Sequence, residues 1–596
     1  MPKVWRFLPY DAGRVGDLAR ELRISPVLAQ VLSARGYSDT SAAREFLDPK
    51  LNDLHDPDQL PGIADAADRV VAAVQAGRRI TIYGDYDVDG VTGTSLLWHC
   101  LKLAGAQVDY YIPHRLEEGY GLNADAVRKL HAEHPNRLLI TVDCGIASVA
   151  EAALAKELGL ELIVTDHHHF ADELPAAACL VHPRLPGSEY PFGQLCGAGV
   201  AFKLAWAICQ RLGDGKKASP RMRDFLVSAV SLAAVGTVAD VVPLVGENRI
   251  LVRYGLNGLK TRASLGLKAL LQVCELVDKS PLDSDDVGFS IAPRLNAAGR
   301  LGQARLAVEL LTTENADRAV TLAQYIDEQN KVRQTVERRI FKQAKELVES
   351  HPEWADHQAL VLAHHEWHPG VIGIVASRVA EHFERPAVLI SMNPEDGLGQ
   401  GSARSFARFD LHAGLSACRM HLRTFGGHQA AAGLRVHQDQ LDVFREDFCR
   451  YVAENHRPQP SDLEFRIDAE VRLADLTHRA VTELDRMGPF GQSNPRPMFV
   501  SHGCSLAEPP RKIGNGERHL SLTVRQYGRT MRGIAFGRAE WADELTAAAG
   551  PISIGYAPCI NRFRGQESVE FQLIDWRPEQ SPAAVAATGT TCNVMT

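Results

Sequence analysis

No CxxC pair occurs in this sequence, and its 11 cysteines are scattered singly over 596 residues. An odd, dispersed set argues against a disulfide framework and for a reducing compartment. No apolar run approaches the roughly 20 residues of a membrane span. The start, Met1-Pro2-Lys3-Val4-Trp5-Arg6, lacks the apolar core of a signal peptide. The expectation is a cytoplasmic protein without a membrane partner. A surplus of positive charge is missing too. The net charge of −8 excludes a uniformly basic surface, so any groove for a polyanion must be local. A chain this long exceeds one core, and three or four domains are expected.

What the chain does have is acid at the ends of strands. Arg79 to Tyr83 reads as a buried strand, and Val91 to Leu103 as a helix. Between them Asp85, Asp87 and Asp89 alternate. Ligands of open parallel sheets bind at the carboxyl ends of strands. Acids this close repel one another unless a cation neutralises them, and hard divalent ions prefer oxygen. The alternative is a turn of solvated carboxylates. Two more buried strands follow the same plan. Leu138 to Val142 ends at Asp143-Cys144-Gly145, and Glu161 to Thr165 ends at Asp166-His167-His168-His169. Strand–helix alternation at this spacing predicts a parallel, doubly wound sheet, which brings these ends together. Asp240 stands in an otherwise apolar run. A buried carboxylate there needs either Arg249 or Arg253 as a partner, or a metal. Asp87, Asp89, Asp143, His167 and Asp240 can together hold two divalent cations. Such a pair, about 3.5–4 Å apart, activates water and stabilises both oxygens of a phosphoryl displacement. Adding an imidazole to the carboxylates suits manganese, with magnesium the other candidate.

The predicted fold class is α/β, in six pieces. They are an N-terminal helical extension (1–50) packed on the first domain, a parallel-sheet catalytic domain (51–314) and a connecting helix (315–350). A smaller α/β domain (351–455), a C-terminal β-barrel of OB type (456–577) and a disordered tail (578–596) follow. The connecting segment is charge-rich with a thin apolar face, as in a helix that bridges domains. From Arg496 to Arg538 there are eight Lys/Arg against two acids. A basic small barrel with Phe499, His519, Tyr527 and Phe536 for stacking fits single-strand binding.

Four motifs in order carry a resemblance. Gly84-Asp85-Tyr86-Asp87-Val88-Asp89-Gly90, Val142-Asp143-Cys144-Gly145, Asp166-His167-His168 and Gly236-Thr237-Val238-Ala239-Asp240-Val241-Val242-Pro243-Leu244 resemble the DHH phosphoesterase superfamily. Within it, the chain resembles the bacterial single-strand-specific exonucleases. The resemblance implies Asp87 and Asp143 as ligands of one ion, and Asp89, Asp143, His167 and Asp240 as ligands of the other. Asp85 would orient ligands, and His168 would face the scissile phosphate. His169 lies beyond the motif and reads as incidental. Tyr83 stands where several superfamily members have a histidine. Arg115 and Arg294 are the expected phosphate binders, Arg115 having Glu117 or Glu118 as its alternative partner. Asn296 and Arg300 serve either the substrate or as ties across the domain. Gly401-Ser402-Ala403-Arg404-Ser405 suits a phosphate cradle, and His368 and His428 are candidate cleft residues. The implied activity is 5′-to-3′ hydrolysis of single-stranded DNA to mononucleotides in repair and recombination. Helicase and single-strand-binding partners are possible, and a monomer is expected. The alternative is a phosphodiesterase for short oligonucleotides or small molecules; a binding protein without catalysis would lack such a ligand set.

Overall fold

The computed structural model describes residues 3–579 except 116, 458, 460–463, 549 and 564. It divides into two compact units, one of residues 50–462 with 491–493, the other of residues 1–49 with the rest of the chain from 463. The expected tail lies, from residue 580 on, outside the described residues.

In the larger unit, five parallel strands run in the order Val108–Tyr111, Ile80–Gly84, Leu138–Val142, Glu161–Thr165, Cys179–Val181. Both faces are covered. Ile80, Ile82, Leu138, Ile140 and Ile163 enter one apolar cluster, while Tyr83, Leu139, Leu162 and Val164 enter another. That explains the unbroken apolar runs in the sequence. The chain leaves Ile80–Gly84 for one edge and returns to its other side at Leu138–Val142. Their carboxyl ends therefore flank a topological switch point, where such sheets bind ligands. The helix Pro220–Ala239 is long and apolar enough to cross a membrane. Half of its apolar window is buried, however, and Leu226, Ala233 and Val235 belong to the core of this domain.

A 35-residue helix, Ala316–Ser350, leads to a second sheet. Its order is Leu422–Gly427, Ala431–His437, Leu398–Arg404, Ala387–Met392, Leu360–His364, with only the last pair parallel.

In the smaller unit the strand Phe499–Leu506 pairs with both Ile552–Phe563 and His519–Gln526, which closes a barrel. The N-terminal helices join this core. Leu18, Leu28 and Leu32 pack in one cluster with Leu473, Phe499 and Tyr556. Val4–Phe7 pairs in parallel with Glu464–Ile467, and the half-buried Arg35 guanidinium bonds the buried Asp468 at 2.7 and 3.0 Å. The extension expected on the first domain is thus built into the barrel's unit. Its amphipathic helices announce that they need a partner but not which one.

Candidate active site

Local structure fixes each acid. Asp87 caps the helix Val88–Leu103, its carboxylate accepting from the Asp89 and Gly90 amides at 2.9 and 3.1 Å. Asp89 is buried and accepts from the Gly197 and Ala198 amides at 2.6 and 2.9 Å, at the start of the helix Gly197–Arg211. A side chain at 197 would sit 2.5 Å from the Asp143 carboxylate, so that approach requires glycine. Asp143 follows its strand directly in a left-handed conformation, φ 66°. Asp240 ends the helix Pro220–Ala239, and the next residue, Val241, is left-handed at φ 58°. For a β-branched residue that is strained, and such strain gathers at functional sites.

These residues converge. His167 Nε2 lies 3.1 Å from Asp143, 3.5 Å from Asp240 and 3.7 Å from Asp89. Three overlapping sets each bring their ligand atoms within 4.8 Å: Asp85, Asp87 and Asp143; Asp89, His167 and Asp240; Asp143, His167 and His168. Asp85 Oδ1, Asp143 Oδ1 and His167 Nε2 are all buried without a hydrogen-bond partner among the described residues. Orphaned polar atoms are costly, and three at one point fit a site shaped for cations. Burial raises Asp85 and Asp143 well above the carboxylate range, with Asp87 and Asp89 respectively adding repulsion. Burial, then Asp89 and Asp87, pushes Asp240 up to about 9. Burial holds His167 down at about 4, its neutral, ligating form. Oxygen donors with one imidazole match manganese or magnesium.

Asp166 was not among the sequence candidates. Its carboxylate accepts from the amides of Ile146 (3.0 Å), His167 (2.7 Å) and His168 (3.1 Å), and bonds His168 Nδ1 at 2.8 Å. Burial opposes its charge, but the His168 bond and charge and the Ile146 amide hold it at about 2. Burial likewise opposes charge on His168, and Asp166 overcomes it, raising His168 to about 9. The two adjacent imidazoles therefore differ in charge: His167 neutral among the acids, His168 protonated beside them. Tyr120, also missed, places its hydroxyl 3.0 Å from His168 Nδ1 and 3.3 Å from the Asp143 carbonyl oxygen. His169, read as incidental, lies edge-on to His428 with ring centres 5.1 Å apart. Tyr83 points away into the apolar cluster, donating to the Gly121 carbonyl at 3.0 Å.

Opposite the acids is a basic wall. A cleft of about 320 Å³ is bordered by Asp87, Asp240, Arg115, Asn296 and Arg300. Arg115 lies over the Tyr86 ring at 4.8 Å, while Glu118, its possible partner, is taken by Tyr111 and the His114 amide. Burial, then the charges of Arg115, Arg333 and Arg404, lower Arg300 to about 10. Arg404 bonds Ser402 Oγ at 3.0 Å and the Ala403 carbonyl at 2.7 Å. Arg333, from the long helix, was hidden in that helix's charge-rich sequence. A side chain at Gly299 would meet the Tyr86 carbonyl at 2.3 Å, so glycine lets this segment close on the acidic loop.

Arg294 corrects the sequence expectation. Its guanidinium bonds Asp327 at 2.8 Å and the Ser290 and Val273 carbonyls at 2.8 and 3.3 Å. It ties its helix to the long one, and all three nitrogens are engaged. Arg300 and Asn296 border the cleft instead. Arg294→Ala is expected to cost about 1–3 kcal/mol of stability, read by thermal melting. Arg300→Ala is expected to lower kcat/KM about a hundredfold with little change in melting.

The barrel corrects another expectation. Phe499 is fully buried against Tyr556 and is not available for stacking. Tyr527 is 85% exposed, and Phe536 is exposed with its ring 5.5 Å from His519. Arg511, Lys512, Arg518, Arg525, Arg529, Arg532 and Arg538 are all exposed.

Fold and site together define a metal-dependent phosphoesterase of the DHH class. Residues 79–232 match the DHH family N-terminal domain, 356–454 the DHHA1 domain and 467–575 the RecJ OB domain. The chain belongs to the RecJ family. It is 39% identical to the single-stranded-DNA-specific exonuclease RecJ of Bacillus subtilis, over 96% of this chain and 70% of that one. Identity to the Escherichia coli RecJ is 35%, covering 95% and 97%. The crystal structure of Thermus thermophilus RecJ with Mn2+ superposes with a TM-score of 0.81 at 33% identity, covering 97% of this chain and 80% of that one.

Proposed function

We propose that this chain is a 5′-to-3′ exonuclease for single-stranded DNA, releasing mononucleotides. One observation carries the chemistry: orphaned acids and a neutral imidazole gather at a cleft that the guanidiniums of Arg115 and Arg300 also border. Asp87 and Asp143 would hold one cation, and Asp89, Asp143, His167 and Asp240 the other, with Asp85 orienting its neighbours. Bound manganese or magnesium supplies an activated water and neutralises phosphoryl oxygens. Arg115, Arg300 and Arg404 grip a phosphate, strengthened by burial. Protonated His168, aimed by Asp166, donates to the charge that develops on the scissile group. The exposed basic face of the barrel binds the strand further along, with Phe536, His519 and Tyr527 offered to bases. The name of the relatives and this long basic face support a polymeric single strand over a dinucleotide substrate. The protein works in the cytoplasm as a monomer, on strands opened by a helicase or coated by a single-strand-binding protein.

Digestion of end-labelled strands with manganese tests this reading. A 5′ label should be released first as mononucleotide, while a blunt duplex persists. Loss of the 3′ label first, or equal rates on a dinucleotide and a long strand, would overturn it. The raised carboxylates add a pH prediction. Cations bind the deprotonated acids, and Asp240 near 9 keeps its proton at neutral pH. Loading must expel protons, so apparent manganese affinity should rise from pH 6 to pH 8. Calorimetry in buffers of different ionisation enthalpy reads that release directly.

A further inference from the structure

A second cavity, about 490 Å³, lies in the second sheet's domain, and the chemistry above does not use it. Strand register shows what builds it. His364, Ser391, Gln400 and Arg435 are mutual neighbours on four adjacent strands. They form one row at the carboxyl ends of the parallel pair Leu360–His364 and Ala387–Met392, the rim where open sheets take ligands. Ser391, Gln400 and Arg435 line the cavity. Beside the row stands a stack of rings. His365 lies on His364 at 4.6 Å and 14°, and His364 on Trp367 at 5.8 Å and 24°. The stack is anchored. Trp367 is buried, donates to Gln343 at 3.1 Å, and its carbonyl accepts from Ser391 Oγ at 2.5 Å. His365 is exposed at the end of the stack and borders the cavity.

The cavity adjoins residues that contact the catalytic cleft. Gln400, Ser402 and Arg404 alternate on one strand and so share a face. That puts Gln400 about 7 Å from Ser402 and about 13 Å from Arg404 along the strand. On the other rim Pro369 borders the cavity, and the next residue, Gly370, accepts from Arg300 at 3.3 Å. His365, Gln400 and Arg435 make no side-chain hydrogen bond or ion pair among the described residues. They present a flat ring, an amide with donors and an acceptor, and a cation.

We propose that this rim is a nucleobase subsite. A base of the bound single strand, one or two nucleotides from the cleft, stacks on His365 and meets Gln400 with its edge, while Arg435 faces the backbone. A π-face is common to all four bases, so the site grips the strand without selecting its sequence. This inference rests on the single-strand reading above. It assigns a place where the strand is held against slipping between cuts.

The test uses the full chain with manganese and strands carrying one abasic position, moved stepwise inward from the attacked end. Wild type, His365→Ala and Gln400→Ala are compared, with thermal melting to confirm folding. For wild type, KM should rise about tenfold when the abasic position falls at one particular inner step, and little at its neighbours. Each variant should raise KM on the intact strand, and its effect should not multiply with that abasic position, because both remove one interaction. Equal KM wherever the base is missing, or fully multiplicative effects, would overturn the subsite. If His365→Ala misfolds, Gln400→Ala carries the same comparison. Failure of wild type to digest intact long strands would instead sink the nuclease reading, so the two failures are distinguishable.

Discussion

Asp143→Asn is expected to abolish hydrolysis, by on the order of a thousandfold or more, and yet to make the metal-free protein at least as stable as wild type. Asp143 belongs to two of the three candidate ligand sets, so its loss disturbs both ions. Asparagine is the informative replacement. It keeps the volume and tolerates the left-handed backbone at φ 66°, where alanine would add strain. In wild type, burial drives Asp143 towards the protonated acid, and repulsion from Asp89, Asp87 and Asp85 drives it further. Removing that ionisable group relieves the folded state when no cation balances it. With manganese the order should reverse, since a ligand that binds only the native form raises its stability by mass action. Melting in chelator and in manganese, beside turnover and strand binding, reads all three effects. Strand binding should persist through the arginines and the barrel. Full activity in Asp143→Asn would remove this residue from the site. A variant less stable than wild type in chelator would show that the carboxylate has a structural partner.

Much of the site was legible because its residues sit at positions defined by sequence alone. An acid directly after a buried strand is at a carboxyl end wherever the sheet lies. Doubly wound order then brings Asp85, Asp87, Asp89 and Asp143 to one switch point. Asp166 escaped because its role depends on three backbone amides and one imidazole, which only the folded loop supplies. The arginines could have been sorted better. Arg294 and Arg300 are six residues apart on one helix, about 120° apart around its axis, and cannot share a face. Asn296 and Arg300, at i and i+4, do. The spacing already paired Asn296 with Arg300 and set Arg294 apart. Phe499 was misjudged because alternation identifies two faces of a strand without saying which is inside. The N-terminal segment was beyond local reading: Val4 pairs with Glu464, across most of the chain.

That pairing makes the second large effect. Truncation after Asp462 should yield an aggregating protein, whereas removal of residues 1–49 as well should yield a soluble, active one. Leu18, Leu28, Leu32 and Leu47 are buried in a core shared with Leu473, Phe499 and Phe571. Cutting the chain at 462 removes their partners and leaves a contiguous apolar face, the kind of surface that drives aggregation. A fragment of residues 50–462 keeps the parallel sheet, the long helix and the second sheet as one compact unit. It lacks only 491–493 of that unit, and with them the bond from the Leu244 amide to the Gln492 carbonyl, at 2.8 Å. It should retain turnover on strands of a few nucleotides. On long strands it is without the barrel's basic face, including the seven exposed Lys/Arg between residues 511 and 538. Each phosphate that is no longer neutralised lowers the salt dependence of binding by about one in the logarithmic slope. Affinity at low salt should fall by about 10–100-fold, and the slope by several. Fluorescence anisotropy on a long single strand between about 50 and 200 mM salt measures both. Binding as tight and as salt-sensitive as that of the full chain would mean that the barrel's basic face does not touch the strand. A soluble, monodisperse product of the single cut at 462 would mean that the N-terminal helices have a partner outside the barrel.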